Sequence, residues 1–183
     1  MLQKEVFCLK RSDVIFNKNC MAVAFLELLN EKDFKLITIS EIAKKAGVSR
    51  MVYYRNYTCK EDILADHLTY LIEEYKKSRV TEDDKKYDRI LNAINFFKNA
   101  KDFIIIIEKS NLSMIIQDKI NEYMKSFYPE INFYSIDKYK LYIFSGAIYN
   151  VARTWILSGL KESPEEIANI FVRTIYDKTV LDK

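Results

Sequence analysis

Three glycines and two prolines are all the chain breakers that 183 residues contain. So few positions suited to tight turns point to long helices joined by short connectors. No window alternates polar and apolar residues over a strand's length between turn residues, which argues against a sheet-rich fold. The isoleucine run 104–107 is the one strand-like segment, and its helical flanks assign it to a buried helix. Histidine occurs once, at His67. With no spaced cysteine, histidine or carboxylate set, it reads as a packing or surface residue rather than a catalyst. Cys8, Cys20 and Cys59 are odd in number and hold no C-x-x-C pair. Neither a metal site nor a disulfide framework follows, and a reducing cytoplasm is the natural setting. Cys59, beside Lys60, leaves a thiol switch as a minor alternative. Glycine-rich phosphate loops, H-E-x-x-H and G-x-S-x-G are absent. Glu73 with Glu74, and Glu165 with Glu166, are helix neighbours that point in different directions and make poor acid/base pairs. No catalytic residue, metal or cofactor is expected, and the chain is not read as an enzyme. There is no charged-then-apolar leader and no apolar run of membrane-spanning length, so a cytoplasmic protein without a membrane partner is expected.

Charge is unevenly placed. Residues 1–62 carry eleven Lys and Arg against eight Asp and Glu, whereas residues 63–183 carry eighteen of each. The net charge of +3 therefore falls within the first third of the chain. A basic excess matters for nucleic acid only where it lines one face.

The first third also holds the most specific motif. Thr38-Ile39-Ser40-Glu41-Ile42-Ala43-Lys44-Lys45-Ala46-Gly47-Val48-Ser49-Arg50-Met51-Val52-Tyr53-Tyr54-Arg55 reads as a short helix, a glycine turn and a second short helix. Ile42, Ala43 and Ala46 give the first helix a small apolar face that a second helix can cross closely. Gly47 suits a left-handed reversal, and Ser49 has the hydroxyl of an N-cap. Thr38 with Glu41 and Thr58 with Glu61 both fit the capping box, confining the second helix to 49–56. This is the layout of a helix-turn-helix, which sets its second helix into the DNA major groove.

Phe34, the run 36–48, Ser49, Tyr54, Tyr57 and Lys60-Glu61-Asp62-Ile63-Leu64 resemble the N-terminal domain of TetR-type transcriptional regulators. The family pattern is a Gly-Phe pair, T-x-x-x-I-A-x-x-A-G-V-S, then Y-x-x-F and K-E-x-L; the likeness spans residues 12–66. Asp33 replaces the usual glycine, as a residue that tolerates the left-handed region. Met51 stands where glycine or proline is frequent, and Asn56 where His or Tyr is usual. The resemblance implies an all-α fold: a three-helix DNA-binding domain over 1–62, and a helical effector-binding and dimerisation domain over 63–183. Its implied function is a sequence-specific, ligand-responsive repressor acting as a homodimer on a double-stranded operator. An activator or adaptor whose C-terminal domain docks a protein is the alternative.

The remaining elements are read as helices over 12–30, with Ala22, Phe25, Leu26 and Leu29 at core spacing, and over 58–79, 87–100, 103–109, 112–128, 135–159 and 164–180. The 58–79 helix is expected to link the domains rigidly. Connectors are expected at 80–86, 99–102, 129–132 and 159–163. Ser163, Pro164 and Glu166 give the last helix its start.

DNA contacts are assigned to Thr38, Ser49, Arg50, Tyr53, Tyr54, Arg55 and Lys60. Arg50 is placed on base edges; Tyr54, Thr38 and Lys60 are placed on phosphates. Val52 and Tyr57 are assigned to packing. In TetR-like proteins the last two long helices pair with those of a second subunit. The resemblance thus makes Gly146, Ala147, Tyr149, Ile156, Ile167, Phe171, Thr174 and Ile175 the dimer pool. It also places a small-molecule effector among the middle helices. The candidate lining is Leu71, Tyr75, Phe96, Phe97, Phe103, Ile107, Met114, Tyr123, Phe127, Tyr149, Arg153 and Trp155. Arg153, if it faces a cavity, favours an anionic or carbonyl-rich effector; the competing expectation pairs it with a carboxylate such as Glu108. Trp155-Ile156-Leu157-Ser158-Gly159 with Ser163-Pro164-Glu165-Glu166 is similar to the end of one branch, some of whose members are linked to dihydroxyacetone metabolism.

Overall fold

The structure, a computed structural model, describes residues 2–77, 86–127 and 138–176, with side chains over 14–77, 86–126 and 138–175. Among these residues there are helices and no strand: α1 (Leu2–Glu31), a 3-10 turn (Phe34–Leu36), α2 (Ile39–Ala46), α3 (Arg50–Asn56), α4 (Lys60–Lys77), α5 (Lys86–Asn99), α6 (Lys101–Lys109), α7 (Met114–Phe127), α8 (Lys138–Leu157) and α9 (Pro164–Tyr176). The isoleucine run lies in α6, with Ile104 and Ile107 buried. The connector expected at 80–86, apart from Lys86, lies outside the described residues, as do the one at 129–132 and the end of the last helix beyond 176. The chain forms two compact units, Met1–Tyr70 and Leu71–Lys183. The division falls inside α4 rather than at 62/63.

In the first unit α1 packs on α2, and α2 on α3. Met21, Ala22, Phe25 and Leu29 of α1 are buried with Ile37, Ile42, Ala43, Ile63 and Leu64. Leu26 is only half-buried, with Leu28 taking the core position instead. α1 also starts ten residues earlier than the 12–30 reading.

Each local stop has a physical cause. Asp33 adopts φ −58°, ψ 140°, not the left-handed region, and its Oδ1 accepts the Lys35 N–H at 2.8 Å to cap the 3-10 turn. An acceptor side chain on extended backbone serves this turn better than a reversal would. Thr38 opens α2 with a full capping box. Gly47 closes it at φ 68°, and Val48 N–H returns to Ala43 O at 3.0 Å. Ser49 occupies the N-cap of α3, yet its side chain makes no capping bond. The second capping box is not formed by Glu61. Because α4 begins at Lys60, Asp62 reaches back: its Oδ2 accepts Thr58 N–H and Oγ1–H at 2.7 Å and Cys59 N–H at 3.0 Å. Those donors, led by the Thr58 hydroxyl, hold the Asp62 carboxyl far below the usual carboxylate range.

In the second unit α5 packs against α9, α8 and α6, and α7 against α8. Ile94, Phe97, Ile107, Ile116, Ile148 and Phe171 are buried there. Ser145 is also buried; its Oγ–H donates to Asn121 Oδ1 at 2.6 Å, joining α8 to α7. Trp155 Nε1–H donates to Glu162 O at 3.0 Å across the α8–α9 turn, where Gly159 (φ 93°) and Leu160 (φ 55°) reverse the chain. Ser163 and Glu166 form the expected box at the start of α9.

Much of the expected dimer pool is used inside the protomer. Tyr149, Ile156, Ile167 and Phe171 are all less than 9% exposed. Phe171 meets Phe144 edge-on at 5.5 Å. Gly146, Ala147 and Thr174 are half-buried, and Ile175 is exposed. Exposed apolar groups of α8 and α9 outside the pool are Tyr139, Tyr142, Ile143, Leu157 and Ile170. Tyr139, Ile143 and Gly146, spaced four and three apart, share one face of α8, and a Cβ on Gly146 would meet nothing within 4 Å.

Candidate functional site

On α3 the exposed positions are Arg50, Met51, Tyr54, Arg55 and Asn56, with Ser49 exposed just before them. Tyr54 is 63% exposed. Tyr53 is not part of this surface: it is 5% exposed and packs edge-on against Tyr54 at 5.2 Å and tilted on Tyr57 at 6.0 Å. The ring nearest the first unit's core is covered, while its neighbour one residue on, rotated about 100° around a helix, points outward. Tyr57 packs as expected and donates its O–H to Asp66 Oδ2 at 2.9 Å; burial, then that carboxylate, push its pKa far up. Lys18 completes the group, 3.3 Å from the same carboxylate oxygen.

Internal partners sort the cations of this unit. Lys18 pairs with Asp66, Lys32 with Glu41, and Lys45 with Glu27 and Glu31. Lys60 is also committed: its Nζ donates to Phe34 O at 2.6 Å and to Ile37 O at 2.7 Å, and lies 4.2 Å from the Phe34 ring centre. Two of its three N–H groups thus satisfy carbonyls at the 3-10 turn, so Lys60 is a clamp on that turn rather than a free phosphate ligand. Thr38 is likewise taken. Its N–H and its O–H both go to Glu41 Oε2 at 2.9 Å. The Glu41 carboxylate, held down at about 2 first by Lys32 and then by Thr38, fills the place at the start of α2 where a phosphate was expected. Among the described residues of this unit, the side chains of Lys35, Lys44, Arg50 and Arg55 make no ion pair. An uncommitted cation can meet a phosphate without first breaking an internal contact. Cys59 is exposed, but desolvation and the neighbouring carboxylates raise its pKa, which keeps the thiol protonated and argues against a switch. His67 stacks on Tyr70 at 6.4 Å, and burial lowers its pKa, as a packing residue's would be.

Among the described residues, the second unit holds a small cavity and a larger cleft. The smaller, about 70 Å³, is apolar and lined by Tyr75, Phe96, Phe97, Tyr123, Phe144 and Ile148 among others. It has room for a few waters at most. The larger is a half-open cleft of about 440 Å³ between the last turns of α4 and the face of α5. Its walls are Leu71, Glu74, Tyr75, Asn92, Asn95, Phe96, Asn99 and Ala100. Of the expected lining, Tyr75 and Phe96 border both cavities, Leu71 the cleft, and Phe97 and Tyr123 the small one.

The others go elsewhere. Phe103 and Ile107 are buried in the helix packing, and Met114 is 66% exposed. The side chain of Phe127 lies outside the described residues. Trp155 closes the α8–α9 turn. Arg153 Nε–H donates to Glu108 Oε2 at 2.7 Å, and Tyr149 O–H to Glu108 Oε1 at 2.5 Å. Glu108, 7% exposed, thus takes both the Arg153 Nε–H and the Tyr149 hydroxyl, and neither residue borders either cavity. Sequence reasoning overlooked the asparagines. Their spacing of three and four was visible in the 87–100 helix, but an aromatic-lined cavity was expected.

Residues 23–66 match the family described as bacterial regulatory proteins, tetR family, and residues 84–177 match the transcriptional regulator C-terminal region of the same family. No curated protein matches the chain in sequence. In fold it is similar to the fatty acid degradation regulator FadR from Bacillus halodurans. That likeness has a TM-score of 0.51 at 17% identity, over 84% of this chain and 91% of that one. An all-helical chain with an α2–turn–α3 element, matched across both units, belongs to the TetR family of DNA-binding transcriptional regulators.

Proposed function

We propose that the protein is a homodimeric, ligand-responsive repressor whose α3 enters the major groove. The observation that carries this reading is the exposed, uncommitted surface of Ser49, Arg50, Tyr54 and Arg55 on a helix whose other side is anchored by buried Tyr53. Arg50 opens the helix and reads a base edge, with a guanine's O6 and N7 the matching acceptors. Tyr54 and Arg55 hold phosphates, joined by Lys44. Thr38, Tyr53 and Lys60 shape the element from within.

A single α3 contacts too few base pairs to fix register, so two copies are needed. The dimer face is the exposed apolar side of α8 and α9, with Ile143, Gly146, Leu157 and Ile170 at its centre. Buried Ile156, Ile167 and Phe171 support it from beneath. The effector occupies the 440 Å³ cleft, which falls in the size range of small-molecule sites, whereas the 70 Å³ cavity does not. Binding there acts on α4, the one helix that contributes residues to both units. The tail similarity to the branch with dihydroxyacetone-linked members is compatible with a small polar effector.

The test is DNA binding by fluorescence anisotropy, on duplexes selected from a random pool. Arg50→Ala costs about 1–3 kcal/mol on the selected sequence and relaxes preference at one position. If Arg50→Ala binds as tightly and as selectively as wild type, α3 does not read the groove through this residue.

A further inference from the structure

The cleft's polar lining is unusual for a helix face. Asn92, Asn95 and Asn99 lie at i, i+3 and i+7 along α5, on one side of one helix. Asparagine is among the poorer residues for a helix interior, because its carboxamide competes for backbone hydrogen bonds. None of the three side chains makes a hydrogen bond among the described residues. Asn92 and Asn95 are only half-exposed. Three carboxamides thus present six N–H donors and three acceptors to a concave space and do no structural work there.

The rest of the lining constrains what fits. Glu74 is the one ionisable carboxylate in the cleft, and Lys77 pairs with it at 2.5 Å, so the site offers little net charge. Arg153, which would have favoured an anion, is held by Glu108. Tyr75 and Phe96, tilted against each other with ring centres 5.2 Å apart, supply an aromatic side to the same space. A hydroxyl both donates and accepts, as a carboxamide does, and the C–H face of a polyol lies well on an aromatic ring. We infer that the cleft takes a small, neutral, polyhydroxylated compound of sugar or polyol chemistry. Asn92, Asn95 and Asn99 read its hydroxyl groups, and Tyr75 and Phe96 carry its apolar face. This rests on the reading of the protein as an effector-responsive regulator and assigns the effector's chemical class.

The experiment is calorimetric titration of the full chain with glycerol, erythritol, xylose and glucose, and with glycerate and gluconate as charged counterparts. Anisotropy on the selected duplex follows in parallel. At least one neutral compound should bind saturably, more tightly than its carboxylate counterpart, and shift DNA affinity. Asn95→Leu, which favours the helix and removes the carboxamide, should weaken that binding at least tenfold with an unchanged circular dichroism spectrum. Asn92→Gln, which keeps the group but moves it, should lose less. Intact DNA binding with no response to any neutral compound overturns the inference and leaves the regulator reading standing. Preference for a carboxylate also overturns it. A folded chain that selects no duplex, yet binds a neutral compound through Asn95, overturns the regulator reading instead and supports this one.

Discussion

Replacing Lys60 with methionine separates two roles that a lysine at the start of α4 can have. Methionine keeps the aliphatic stem and the helix propensity but removes the ammonium. The wild-type Nζ donates to two backbone carbonyls, Phe34 O and Ile37 O, and lies against the Phe34 ring. A hydrogen bond to a charged group contributes about 1.5–3 kcal/mol, and a cation on an aromatic face about 0.5–1 kcal/mol. Lys60 is half-exposed, so water replaces much of what each carbonyl loses, and about half of the hydrogen-bond figure survives. The net expectation is a loss of about 2 kcal/mol, read as a shifted urea midpoint at fixed protein concentration. The same variant is then titrated with DNA at several salt concentrations. A clamp leaves the slope of log K against log salt unchanged in the folded protein. A phosphate ligand lowers that slope by about one with stability intact. That second outcome would refute the assignment.

Glu41 sets an acid sensitivity. Its carboxyl is held at about 2 against an ordinary value of 4.5, so its contribution is complete above 4.5 and disappears as pH falls toward about 2. Urea midpoints of Thr38→Val, which loses the hydroxyl partner, should fall less steeply than wild type across that window; parallel curves would exclude the box from the acid response. Gly47 at φ 68° has open space around its Cβ position, so Gly47→Ala costs about 1–2 kcal/mol from backbone strain alone, and Gly47→Asn costs less. Equal stability of the two variants in thermal melts would contradict this. Phe171→Ala should destabilise the second unit by about 3–5 kcal/mol, because the ring is 2% exposed. Ile170→Asp, at a site 57% exposed, should leave the protomer folded yet sediment as a monomer; an intact dimer moves the interface off α9.

The helices were legible because breakers are scarce and their punctuation is local. Thr38–Glu41, Gly47 and Ser163–Glu166 each act within a few residues, and all form as read. The second box slipped by one carboxylate because Glu61 and Asp62 are adjacent, and only the helix start decides which one faces back. The internal role of Lys60 was not legible, because the carbonyls it reaches, Phe34 O and Ile37 O, lie far from it in sequence. The Thr38 capping box was legible, and Arg153 pairs with Glu108, one of the two expectations held for it. Part of the dimer pool is buried within the chain for a similar reason, since α9 is apolar on the side facing α5 and also at Ile170, which points away. Periodicity marks an apolar face without saying which neighbour covers it.

Trp155 is the chain's sole tryptophan, 3% exposed and hydrogen-bonded across the α8–α9 turn. Its fluorescence therefore has one origin, in the second unit, and needs no label. Helix loss in the first unit changes circular dichroism while leaving that emission untouched. Opening of the α8–α9 turn exposes the indole to water and shifts its emission to longer wavelength. Recording both signals along one denaturation curve asks whether the two units melt together or in sequence. That answer says whether the unit carrying α3 can loosen while the unit carrying Trp155 stays folded.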